Sequence, residues 1–139
     1  MENKHIVGHL EVIDLLDLDI LNVIARVDSG AQISAIWASF IKETTKGLEV
    51  VFFGKSSAYF NGQKIILPYF RFANIKNSTG EIEKRYKVLL RVKIHNHVMK
   101  KWFTLADRSK QKYPILIGRN ILKDKFLVDV SLELNNQGS

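Results

Sequence analysis

The chain has 139 residues, 46% of them hydrophobic, with two prolines and eight glycines, which suits one domain over residues 1–139 and leaves little room for a second. It has no cysteine, so disulfides and thiolate zinc sites are excluded, and a reducing, cytoplasmic location is the expectation. The net charge of +7 is unevenly spread: residues 1–28 carry two Lys/Arg against six Asp/Glu, while residues 84–125 carry thirteen against two, a block suited to an anionic partner such as nucleic acid, an acidic peptide or an acidic lipid surface.

In chain order, the opening "MENKHIVGHLEVIDLLDLDI" lacks the basic-then-apolar layout of a secretory leader. No apolar run is long enough for a membrane helix, so neither feature is expected. "ILNVIARVD" at 20–28 reads as a buried strand ending in Asp28-Ser29-Gly30. The next segment admits two readings. Ile33, Ile36, Trp37, Phe40 and Ile41 fall at helical spacing with Gly47 as a stop, and Asp28 or Ser29 would then cap a helix. The competing reading makes "SAIWA" a short strand leaving a turn at Asp28; periodicity slightly favours the helix, and the surrounding strands favour a sheet. "EVVFFG" and "KIILPYFRF" flank Asn61-Gly62, a pair suited to a tight hairpin. A second hairpin is expected to turn at Asn77-Ser78-Thr79-Gly80. Its second arm alternates Tyr86, Val88, Leu90, Val92 and Ile94 with mainly basic residues, the period of a half-exposed strand. "HNH" at 95–97 turns the chain again. "YPILIGRNILKDKFLVDVSLEL" reads as strand, glycine break, short helix or turn, and final strand. The whole is mostly β.

Asp28 is the residue with the most chemistry to offer. Asp-Ser-Gly is also a common turn, and the tripeptide alone does not decide between turn and catalyst. A lone carboxylate with a pKa of about 4 is a poor general acid at neutral pH. Two carboxylates in contact share a proton, so one acts as base on a water and the other as acid. The adjoining Gly30 permits a tight turn, and the Ser29 hydroxyl can brace it.

"LNVIARVDSGAQISAI", followed some ninety residues later by "YPILIGRNIL", resembles the retropepsin-like aspartic proteases. Those enzymes pair a strand ending in Asp-Thr/Ser-Gly-Ala with an apolar–apolar–Gly-Arg-Asn/Asp segment. Adding "STGEIEKRYKV", "WFTLADRS" and "FLVDVS", the chain over about 7–131 is similar to a bacterial branch catalogued as ATP-dependent zinc proteases. The resemblance implies a mostly β, retropepsin-like acid-protease barrel with a flap, one lobe per chain. It implies a homodimer with Asp28 of each subunit facing its copy across a two-fold axis. Length agrees, because the chain holds a single Asp-Ser-Gly and an isologous dimer supplies the second. Ser29, Gly30 and Ala31 would form the active-site turn. A peptide would bind as an extended strand. Family members occur with ATP-grasp glutamate ligases, so glutamate-rich peptides are the implied substrates, and the basic block is compatible with them.

The zinc and ATP labels find no support in the residues. There is no His-Glu-x-x-His and no Gly-Lys-Ser/Thr phosphate loop. His95 and His97 are read as solvent-exposed turn residues, and neither metal nor cofactor is expected. The resemblance gives Gly118 and Arg119 a place in the second motif, with Arg119 pairing inside the dimer. Arg26, Arg85 and Arg108 either hold an acidic substrate through bidentate contacts or form salt bridges, for example with Asp107 or Asp129. Trp37, Trp102, Phe103 and Phe126 are expected in the core. The flap lacks the glycine-rich tip of the viral enzymes. Two other functions stay open: a peptide-binding module on the same fold, and a basic β-barrel binding nucleic acid. Tyr86, Trp102 and Tyr113 suit the latter, but no nucleic-acid motif accompanies them.

Overall fold

The computed structural model describes residues 4–132. Eleven strands and one short helix are named here in chain order: β1 (His5–Val7), β2 (Leu10–Leu15), β3 (Ile20–Val27), β4 (Ser34–Thr44), β5 (Gly47–Phe52), β6 (Lys64–Leu67), β7 (Phe70–Lys76), β8 (Ile82–Ile94), β9 (His97–Ala106), β10 (Ile115–Ile117), α1 (Arg119–Leu122) and β11 (Phe126–Val128). A single 3-10 turn (Leu16–Leu18) links β2 to β3.

The sheet closes on itself. The hydrogen-bonded order runs β10-β3-β2-β8-β9-β4, and β4 pairs back to β10, making a ring of strands. Closure leaves the ring itself without an open edge. β5 and β6 extend from β4, β7 pairs with β8, and the terminal strands β1 and β11 form a separate parallel pair. The core fills the ring. Val88, Leu90, Val92 and Ile94 of β8 are buried at every second position, facing Ile13, Val23, Phe103, Ile115 and Ile117, as the period of two requires. The strand before Asp28 is half-buried: Val23, Ala25 and Val27 point inward while Arg26 is exposed. Part of the acidic N-terminal block works internally. Asp14 accepts the Asn22 amide at 2.8 Å and Asp17 the Arg91 amide at 2.8 Å.

Three sequence readings are corrected. Residues 34–44 form a strand, so the helical alternative fails. Ser34–Ala38 is buried throughout because β9 and β10 flank it, and a bulge between Ala38 and Phe40 shifts the side-chain phase. Helix-like spacing results from that phase shift. Asn61-Gly62 is not a two-residue hairpin turn: β5 and β6 do pair, but residues 53–63 connect them, and Asn61 closes a local turn by accepting the Gln63 amide. The third correction concerns His95, which adopts a left-handed conformation (φ 54°) in the β8–β9 turn. Its side chain is only 14% exposed and sits 3.0 Å from the buried Glu11 carboxylate. The second hairpin forms as expected, with Asn77 Oδ1 bonded to the amides of Thr79 and Glu81.

Candidate active site

Two neighbouring strands lead up to Asp28 and to Gly118. β3 and β10 run parallel, with Ile117 beside Val27. The Asp28 amide donates to the Ile117 carbonyl at 2.9 Å, continuing that ladder to the turn. There the Gly30 amide donates to Asp28 Oδ1 at 2.9 Å, and the Ala31 amide donates to the Asp28 carbonyl at 3.2 Å. Asp28 is half-buried, while Ser29 and Gly30 are exposed. The second carboxylate oxygen of Asp28 has no hydrogen-bond partner among the described residues, so it is the oxygen left to hold a proton or a water.

The Gly118-Arg119-Asn120 segment locks against this turn. The Arg119 and Asn120 amides donate to the carbonyls of Ala31 (2.8 Å) and Gln32 (3.2 Å). A Cβ at Gly118 would lie 2.8–2.9 Å from backbone atoms of Ala31 and Ile33, so only glycine permits this approach. Asn120 Oδ1 accepts from the Ser34 amide (2.9 Å) and hydroxyl (2.8 Å), and its amide group donates to the Trp102 carbonyl at 2.8 Å. The Ser34 hydroxyl in turn accepts from the Gly118 amide at 2.9 Å. Sequence reasoning missed the Ser34–Asn120 pair; the only trace was the asparagine inside "GRN".

Beside the Asp28 turn lies a groove of about 690 Å³ lined by Gly30, Ala31, Ile75, Arg85, Trp102 and Arg108, among others. The β7–β8 hairpin forms one wall, and Arg85 stands on its second arm. Arg108 donates through Nε to the Tyr113 carbonyl at 3.1 Å. Burial pushes its pKa down, the neighbouring Arg26 and Arg85 push the same way, and Asp28 partly opposes them. Three guanidinium groups thus share a field with Asp28. Arg85 bonds Glu83 at 3.1 Å, yet its buried Nε lacks an acceptor.

Pairing of these arginines with Asp107 or Asp129 does not occur among the described residues, because those carboxylates cap their own turns through Ser109 and Ser131. Arg26 and Arg119 are exposed and make no ion pair among the described residues. Trp37, Phe103 and Phe126 are buried, whereas Trp102 lines the groove, a correction to its expected core place. Glu11 occupies His95, His5 and His97 rings meet edge-on at 4.3 Å, and no group of three or more metal-ligating side chains converges among the described residues.

Residues 6–137 match the family model described as "RimB-like: Retropepsin-like aspartic endopeptidase RimB". A probable alpha-L-glutamate ligase of Shewanella halifaxensis is 35% identical over 94% of this chain, and one from Desulfotalea psychrophila is 30% identical over the same share. The chain spans 29% of the length of these relatives. The Legionella pneumophila protein Lpg0085, of unknown function, superposes with a TM-score of 0.72 at 26% identity, covering 96% of this chain and 98% of that one. With its closed sheet, its Asp-Ser-Gly turn locked to Gly-Arg-Asn and a family match along nearly its whole length, the chain belongs to the RimB-like family of retropepsin-like aspartic endopeptidases.

Proposed function

We propose that the protein is a homodimeric aspartic endopeptidase, acting in the cytoplasm, whose two Asp28 carboxyls share one proton and hydrolyse acidic, glutamate-bearing peptides. The observation that carries the reading is Asp28 itself, held by its turn through one oxygen, with the other oxygen uncommitted beside a groove. The ionised Asp28 takes a proton from water as the water oxygen bonds to the peptide carbonyl carbon. The protonated Asp28 of the second subunit gives its proton to the carbonyl oxygen. The resulting diol collapses with proton transfer to nitrogen, the C–N bond breaks, and a carboxylic acid and an amine leave. Arg85 and Arg108 at the groove, with Arg26 in their field, supply the charge that acidic side chains need.

The glutamate ligase names of the relatives support this substrate class. A domain that forms part of glutamate ligases meets glutamate-bearing chains, and a hydrolase on the same domain would trim them. A binding module is the second reading, favoured by those same names, since a ligase can use such a domain to hold its acidic product. Asp28→Asn separates the two. For a peptidase, the variant keeps its melting temperature and loses about 10³-fold or more in the rate of cleaving a glutamate-rich peptide. A wild-type protein that binds such peptides at every concentration and never cleaves them would make it the module.

A further inference from the structure

We propose that the groove continues past Trp102 into a second carboxylate-binding subsite, formed by Tyr69, Arg71, Lys87 and Trp102, which reads an acidic side chain away from the scissile bond. The inference rests on the acidic-peptide reading above and locates where a further carboxylate is held.

Strand register puts these side chains on the groove side. Arg71 lies opposite Lys87 across β7 and β8, as Ala73 lies opposite Arg85. Lys87 and Leu89 lie opposite Thr104 and Trp102 across β8 and β9. Opposed residues share a face, and Ala73, Arg85, Trp102 and Thr104 line the groove, so Arg71 and Lys87 project the same way. The Arg71 guanidinium lies 4.8 Å from the Tyr69 ring centroid, and Lys87 Nζ lies 4.8 Å from that of Trp102. The two rings are 5.8 Å apart, making one patch that joins the groove through Trp102.

Charge then selects the ligand. Like charges directly opposite each other repel, yet neither Arg71 nor Lys87 has an acidic partner among the described residues. An anion between them removes that repulsion. Spacing selects a peptide. Arg85 and Lys87 are two residues apart on β8, about 6.8 Å along the strand. An extended peptide has the same repeat, so acidic side chains at alternate positions meet Arg85 and Lys87 in step. Each aromatic ring already carries a cation over one face, which leaves less room for the base stacking that single-stranded nucleic acid uses.

The test measures binding by calorimetry in the Asp28→Asn background, with glutamate peptides from dimer to octamer, and compares that chain with one also carrying R71Q and K87Q. Affinity is expected to rise with peptide length in the first chain. The added substitutions should remove the rise, weakening the octamer about five- to tenfold and leaving the dimer unchanged. Thermal melting checks the fold, and K87Q alone, giving a smaller loss of the same kind, serves if the double substitution does not fold. Equal octamer affinity in both chains overturns the distal subsite and leaves the acidic-peptide reading intact. Absence of binding by every glutamate peptide overturns both. An oligothymidylate that binds more tightly than the octamer, through Arg71 and Lys87, gives the patch to nucleic acid and overturns the proposal.

Discussion

Asp28 owes its position to residues far from it in sequence. Its own turn supplies two hydrogen bonds, from the Gly30 amide to its carboxylate and from the Ala31 amide to its carbonyl, but the turn is seated by the Ile117 carbonyl and by the amides of Arg119 and Asn120. The Asp-Ser-Gly and Gly-Arg-Asn segments were both legible, because each is a short pattern with unusual residues. Ser34 and Asn120 were not, since a hydrogen bond between residues 86 apart leaves no local signature. Of the salt bridges weighed for the arginines, Arg85 finds its carboxylate in Glu83 rather than in the example partners Asp107 and Asp129. Asp107 and Asp129 each have a serine two residues on, and that local bond wins over a distant guanidinium. Asn120→Ala should cost about 2–3 kcal/mol, because it leaves the Ser34 amide and the Trp102 carbonyl without their partner. Denaturant unfolding checks it, and a loss within error of zero would show that water replaces the asparagine. Gly118→Ala should cost about 1–3 kcal/mol by pressing a methyl group into the backbone of Ala31 and Ile33; an unchanged midpoint would mean the two segments separate without penalty.

Elements with one buried and one exposed face were easy to read. β8 shows this: its alternation over Val88, Leu90, Val92 and Ile94 maps directly onto burial. β4 was harder, because a strand flanked on both sides and bulged at Ala38 has no clean period of two. The β8–β9 turn carries a prediction of its own. His97 faces His5 on β1, His95 in the turn and Lys125 ahead of β11, with the Glu11 carboxylate on His95. Burial holds the His97 pKa below its ordinary 6.5, and electrostatic repulsion from His5, Lys125 and His95 reinforces it. As pH falls through 6.5, the unfolded chain therefore takes up this proton before the folded one does. The native state loses stability over that range, and the loss is complete below the folded value. His97→Gln should flatten the decline of melting temperature from neutral pH into the acid side. An unaltered slope would show that His97 titrates alike in both states.

At the level of the whole molecule, ring closure and the parallel pairing of β3 with β10 explain why one short chain can hold an aspartate so firmly. The family and fold were readable because five short blocks stand in the expected order. The electrostatic surface was readable only as a net excess, since strand register decides which cations share a face. The proposed mechanism needs two copies of Asp28 in one site, and subunit mixing tests that need most directly. Wild-type protein is combined with an equal amount of Asp28→Asn protein under conditions that let subunits exchange, and cleavage of a glutamate-rich peptide is followed. Random pairing leaves about a quarter of the dimers with both aspartates, so the account predicts activity near a quarter of that of the same total protein all wild type. Activity near one half, in simple proportion to the wild-type fraction, would mean that each chain works with its own aspartate alone and would contradict the shared dyad.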